Sequence, residues 1–224
     1  MTQKRQRGFT LVEIAIVLVI IGLLLGGILK GQEMITQAKI KNVINDFNGL
    51  SAALYSYQDR YRALPGDDLN AATRWATQMA ISGDGNGVFA GTYNNILAGA
   101  PVAANETNLF WWHLRLAGFV PGPTAAGAAA GQQANNAVGG IVGVATGTAA
   151  APALGFLTNV MCTSNLPDKI AVAVDTQMDD GLNNTGQLRG LLQVKPNDDL
   201  RALAQPGDLY VENGTNQYLV CKQL

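Results

Sequence analysis

The chain has 224 residues, with 15 basic and 16 acidic side chains, 14% charged and 48% hydrophobic. This is room for one modest globular head and not two, and the near-neutral balance excludes the basic footprint that nucleic-acid binding requires. The head's scattered cations, Arg60, Arg62, Arg74, Arg115 and Lys169, form no run.

The N-terminus carries Lys4, Arg5 and Arg7 and no acid up to Gly8, a bias that holds this end on the cytoplasmic side of a membrane. Phe9 to Leu29 follows as an apolar stretch of 21 residues. As an α-helix it reaches about 32 Å, enough to span a bilayer. A cleaved secretory signal is shorter and ends in small residues, whereas this run continues into Lys30-Gly31-Gln32-Glu33. An ordinary anchor gives no reason for Glu13, because an acid within the apolar layer costs roughly 2.5 kcal/mol or more and marks function.

Gly8-Phe9-Thr10-Leu11-Val12-Glu13 resembles the class III signal of type IV pilins and type II secretion pseudopilins. The resemblance implies that prepilin peptidase, a membrane aspartic peptidase, cuts between Gly8 and Phe9 and that Phe9 becomes N-methylated. It also implies that Glu13 pairs with the new α-amino group, on its own chain or on a neighbour, and so sets register as subunits assemble. Implied partners are the peptidase, other pilin subunits, inner-membrane assembly machinery and, before assembly, the membrane itself. Without Lys4, Arg5 and Arg7 the balance is 12 basic to 16 acidic residues, a mildly acidic chain with no clear nucleic-acid site.

Beyond the anchor, Ile35, Ile40, Val43, Ile44, Phe47, Leu50, Leu54 and Tyr57 recur by threes and fours, so the helix is expected to continue as an amphipathic half over 30–62. No proline falls near Lys30 to kink it. Leu64-Pro65-Gly66 ends this helix, and Asp67 or Asp68 is placed to cap a second one through Leu69, Trp75 and Met79. A third, capped by Asn105 or Thr107, runs through Phe110 and Leu114 to Gly118, with Trp111 and Trp112 facing opposite ways and its aromatics packed on the stalk. The segments YRALPGDD, SGDGNGVF and WWHLRLAGF resemble a subgroup of pilin-like proteins of uncertain role.

Residues 121–153 are dominated by Ala and Gly and read as a long, weakly structured loop with one strand at 141–145. Pro167 starts a helix with Asn165 as its cap, ending at Asp180-Gly181. Gln187 to Lys195 and Leu209 to Lys222 read as strands, with Asn213-Gly214 as a hairpin turn between 209–211 and 218–220. The expected fold is α+β and pilin-like: leader 1–8, membrane and filament-core helix 9–29, amphipathic half 30–62, and a head over 63–224 with a small antiparallel sheet.

Cys162 and Cys221 suit a disulfide closing the C-terminal region in an oxidising compartment, with free buried thiols or a metal pair as alternatives. Asp84 and Asn86, hinged by glycines, form the start of a calcium loop, with Asp67, Asp179 or Asp180 as further donors; Asx-turns explain the same residues without any cofactor. The adjacent pairs Asp67-Asp68 and Asp198-Asp199 read as solvated caps, and His113, the single histidine, as a surface or hydrogen-bonded residue. None of these assembles a catalytic set, so a structural subunit is expected and not an enzyme. The expected location is the inner membrane with the head periplasmic, then a pilus or periplasmic pseudopilus. Alternatives are a secretion pseudopilin and a membrane-anchored binding protein that never polymerises.

Overall fold

The structure is a computed structural model of the chain, describing residues 10–95, 99–148, 153–200 and 209–224. Helix α1 covers Leu11–Tyr61 without a break. Two units divide the chain, one up to Ala38 and one from Lys39 on. In the first, every residue from Thr10 to Lys30 is exposed, although nearly all are apolar. This stretch is long and apolar enough to cross a membrane.

The second unit is an α+β head with a pilin-like architecture, a five-stranded antiparallel sheet laid on a helix. Strands β1 (Ala134–Asn135), β2 (Ile141–Thr146), β3 (Asn159–Pro167), β4 (Leu188–Leu192) and β5 (Gln217–Gln223) lie in the order β1-β2-β3-β5-β4. Period-two alternation sends Val142, Val144, Met161, Leu188, Tyr218 and Val220 onto one face, where they meet Ile40, Val43, Phe47, Leu50, Leu54 and Tyr57 of α1. From Ile40 on, the 3.6 period read from the sequence is the stripe that the sheet covers, whereas Ile35, where the expected stripe began, is exposed. The opposite face carries Ala145, Val160, Cys162, Leu191, Leu219 and Cys221 and is roofed by Tyr93, Leu154 and Phe156.

Cys162 and Cys221 are direct cross-strand partners in β3 and β5 and form a disulfide. The bridge spans 59 residues, and in the chain-entropy account a closure of that size is worth about 4 kcal/mol. Free outward N–H groups on edge strand β4 are already occupied. Leu188 donates to the Asp179 carboxylate at 2.8 Å and Gly190 to the Asn183 carbonyl at 2.9 Å, which closes this edge to further strand pairing.

Several elements differ from the sequence reading. Helix α2 is only Ala71–Arg74, followed by a 3-10 turn over Ala76–Gln78, because the chain leaves helical geometry at Trp75. Neither Asp67 nor Asp68 caps it; Asn70 precedes it, without a side-chain capping bond. Helix α3 is Glu106–Leu116, and Trp111 joins the core around α1 while Trp112 packs with Leu109 and Ala130. Helix α4, Asp168–Met178, begins one residue after Pro167, which is the last residue of β3. Asn165 is thus a strand residue. Its φ of +58° falls where the β3–β5 register shifts, and its side-chain oxygen accepts the Asn197 N–H at 2.8 Å. Residues 209–211 pair in no strand, so Asn213-Gly214 is not a hairpin turn. It docks on α4 instead, with the Gly214 N–H donating to Asp168 at 2.6 Å and the Asp168 N–H to the Asn216 carbonyl at 3.1 Å.

The Ala/Gly-rich stretch is more ordered than its composition suggests, because residues outside it supply the polar contacts it lacks. Arg115 is buried without an acid partner among the described residues, and its guanidinium donates to the carbonyls of Ala129 (3.1 Å), Ala130 (2.6 Å) and Gln132 (2.8 Å). Gly122 lies against this side chain, where a Cβ would sit 2.3 Å from Arg115 Nε. Trp112 Nε1 donates to the Thr124 carbonyl at 2.9 Å and Asn108 Nδ2 to the Gly131 carbonyl at 2.9 Å. Arg115→Leu is expected to lower stability by about 3 kcal/mol, since several buried carbonyls lose a charged donor at once. Limited proteolysis with N-terminal sequencing should place the first new cut between residues 121 and 133.

Candidate functional site

Glu13 sits at the start of α1 in a reciprocal cap. Thr10 donates to Glu13 Oε2 from its N–H at 2.7 Å and from its hydroxyl at 2.9 Å, and the Glu13 N–H points back to Thr10 Oγ1 at 3.3 Å. Threonine followed three residues later by glutamate is the sequence signature of this capping box. The carboxylate is thereby held at the helix N-terminus, where the helix dipole favours negative charge. Gly8 and Phe9, the expected cleavage and methylation residues, lie outside the described residues.

In the head, the segments YRALPGDD, SGDGNGVF and WWHLRLAGF come together. The Gly66 N–H donates to His113 Nδ1 at 2.9 Å, which leaves the proton on Nε2 to reach the Ile81 carbonyl at 2.8 Å. The ring is fully buried and both nitrogens are used, so His113 is a strut between loops and offers no free base. Burial pushes its pKa down to about 4. Gly66 has a φ of +94°, and a Cβ there would lie 2.5 Å from the Glu106 carbonyl oxygen, so this position admits only glycine.

Asp67 and Asp68 are buried, which corrects the reading of this pair as solvated caps. Asp67 accepts the N–H groups of Gly85 (2.5 Å), Asn86 (3.0 Å) and Gly87 (2.7 Å), so the glycine loop folds around its carboxylate. Asp68 accepts the Tyr57 hydroxyl at 2.7 Å and pairs with Arg74. Burial raises the Asp68 pKa, but the bonds from Arg74 and Tyr57 outweigh it and hold the group below its ordinary value. Asp198 is also buried, accepting the Val194 N–H at 3.0 Å.

Asp84 and Asn86 make the Asx-turns their spacing allows: Asp84 accepts the Asn86 N–H at 3.1 Å, and Asn86 accepts that of Val88 at 2.9 Å. Asp67, Asp84 and Glu106 each bring an oxygen within 4.8 Å of the others, and these are the groups a divalent ion would meet. Glu106 went unnoticed in the sequence because it belongs to α3, 22 residues from Asp84. It already accepts the Asp84 N–H at 2.9 Å and the Ala90 N–H at 2.9 Å. A second group, Asp175, Asp179 and Asp180, surrounds the N–H groups of Gly181 and Leu188. Asp175 is fully buried, receives the Tyr210 hydroxyl at 2.7 Å, and is pushed up to about 6 by burial.

With this geometry in place, comparison with known families finds a match at the N-terminus. Residues 3–29 match the prokaryotic N-terminal methylation motif. The chain therefore carries the prepilin signal of type IV pilins and pseudopilins, a signal that implies processing by prepilin peptidase and assembly with other pilins. No curated protein and no solved structure matches the chain.

Acidification between pH 6.5 and 4 turns His113 against the fold, because its ring is neutral when folded and protonates near 6.5 when unfolded. That group alone contributes about 3 kcal/mol above pH 6.5, lost as pH falls through 4. Asp175 acts oppositely: its raised value favours the fold below about pH 4, a contribution lost as pH rises through 6. The two contributions are of similar size and opposite sign, so denaturant melts across this range should show stability rising on acidification for His113→Gln and falling on acidification for Asp175→Asn, each relative to the native chain.

Proposed function

We propose that the chain is a type IV pilin-like subunit, cut by prepilin peptidase between Gly8 and Phe9, methylated at Phe9 and assembled through α1 into a pilus filament. The single observation that carries this reading is the methylation motif over residues 3–29, with Glu13 inside an otherwise apolar helix. Before assembly the helix anchors the chain in the inner membrane with the head in the periplasm. Lipid covers its apolar side chains there, and neighbouring helices cover them in the fibre. Cleavage would give Phe9, one residue before the Thr10–Glu13 cap in sequence, a positive α-amino group that can take over as partner of the carboxylate. The subunit's role is structural and not enzymatic.

The disulfide tying the C-terminal strand to the sheet centre favours a pilus over a secretion pseudopilus, because an outer-surface fibre gains most from a covalently closed head. Gly8→Ala is expected to leave the precursor uncut, seen as a single slower band on immunoblots of membranes. Glu13→Val should be cut normally yet yield at least tenfold less sheared fibre. Normal cleavage of the first variant, or full fibre yield from the second, would remove the proposal.

A further inference from the structure

Four positions form one row across the sheet: Gly143 on β2 faces Cys162 on β3, Cys162 faces Cys221 on β5, and Cys221 faces Arg189 on β4. Direct partners project to the same face, so glycine and arginine flank the disulfide on the face that Tyr93, Leu154 and Phe156 roof. The roof rests on both ends of this row. At one end Gly143 admits the Tyr93 carbonyl oxygen, which would lie 2.2 Å from a Cβ there, and the Tyr93 hydroxyl donates to the Asp198 carbonyl at 2.5 Å. At the other, the Arg189 guanidinium donates to the Leu154 carbonyl at 3.1 Å and stands 4.2 Å from the centre of the Phe156 ring. Leu154 and Phe156 belong to a tight two-residue turn, in which Ala153 and Phe156 exchange backbone hydrogen bonds at 3.2 and 2.9 Å and Leu154 and Gly155 have φ of +50° and +80°. Left-handed backbone disfavours leucine, yet Leu154 keeps it with its side chain fully buried in the cluster that holds both cysteines. Burial of one side chain thus holds a strained turn against the sheet.

We infer that the turn 153–156 is a lid over the Cys162–Cys221 bridge, pinned by Arg189, which opens as a local unit and controls when thiols reach the sulfurs. Neither cysteine has exposed surface while the lid is shut. In thiol–disulfide exchange a thiolate must touch one sulfur of the bridge: a new S–S bond forms as the old one breaks, and the other cysteine leaves as a thiolate. The closed head blocks that approach. Lifting the turn uncovers the cysteine face and leaves all five strands paired, because the turn supplies no strand to the sheet and bonds only within itself across its Ala153–Phe156 bridge. Arg189 is the group that ties it down, since it stands on β4 beside Cys221 and reaches the turn through both a backbone carbonyl and a ring. The device belongs to the head alone and stands whether or not the chain assembles into a fibre.

The test follows loss of the bridge in the full-length, detergent-solubilised chain under excess dithiothreitol, read by alkylation and mass spectrometry at increasing urea below the unfolding transition. Reduction through a lid depends weakly on urea, because little surface is exposed, whereas reduction through global unfolding rises as steeply as unfolding itself. The native chain should show the flat dependence at low urea. Arg189→Gln and Phe156→Leu should each speed reduction about tenfold with the dependence still flat, the size expected for losing one charged hydrogen bond or one cation–ring contact. A steep dependence in the native chain from the lowest urea onward, or an Arg189→Gln chain reduced at the native rate, overturns the inference. For a variant whose melting temperature falls, the urea slope decides: a flat one sustains the lid and a steep one overturns it.

Discussion

Nothing within the described part of the chain covers the apolar side chains from Leu11 to Leu29, and the rest of the molecule is arranged around that fact. Fifteen exposed apolar side chains cannot persist in water, so something outside the chain must surround them, and in the proposed assembly that is first lipid and then other helices. In the proposed assembly, Glu13 is the group that would turn a general stickiness into a register. A greasy rod alone slides against its neighbours, while one carrying a single acid has a strongly preferred place to stop. The cap from Thr10 gives the carboxylate an interim partner at the helix end.

The head makes a different use of its acids. Asp67, Asp68, Glu106, Asp168 and Asp175 are buried, and each gathers N–H or O–H donors from segments distant in sequence. These carboxylates tie long irregular connections onto a small sheet, as Arg115 ties the Ala/Gly-rich stretch from the opposite charge. His113 does the same as a neutral ring between Gly66 and Ile81. The LPGD, GDGNG and WWHL segments are thus joined by mutual packing.

The half of α1 from Ile40 on was legible because its apolar spacing follows one covered stripe, while α3 and β2, buried nearly throughout, were legible from the span between Asn105 and Gly118 and from the β-branched run at 141–145. Strand β3 was not. Both of its faces are buried, so it shows no alternation, and its Ser164-Asn165 bulge looks like the start of the next helix. The Asn213-Gly214 turn was recognised as a turn but assigned the wrong neighbours, since its partner is Asp168, 46 residues away. Asp67 and Asp68 read as solvated because local sequence cannot show which distant groups converge on them, whereas of the 198–199 pair only Asp198 is buried and Asp199 is exposed as expected. Glu13 and its spacing from Gly8 stood out because membrane burial makes one acid in an apolar run conspicuous.

Top-down mass spectrometry of the chain isolated from its native cells tests the central claim most directly. The account predicts a molecule that begins at Phe9, carries one added methyl group, and lacks the two hydrogens of a Cys162–Cys221 bridge. A mature molecule still beginning at Met1, or one trimmed beyond Leu29, would contradict it.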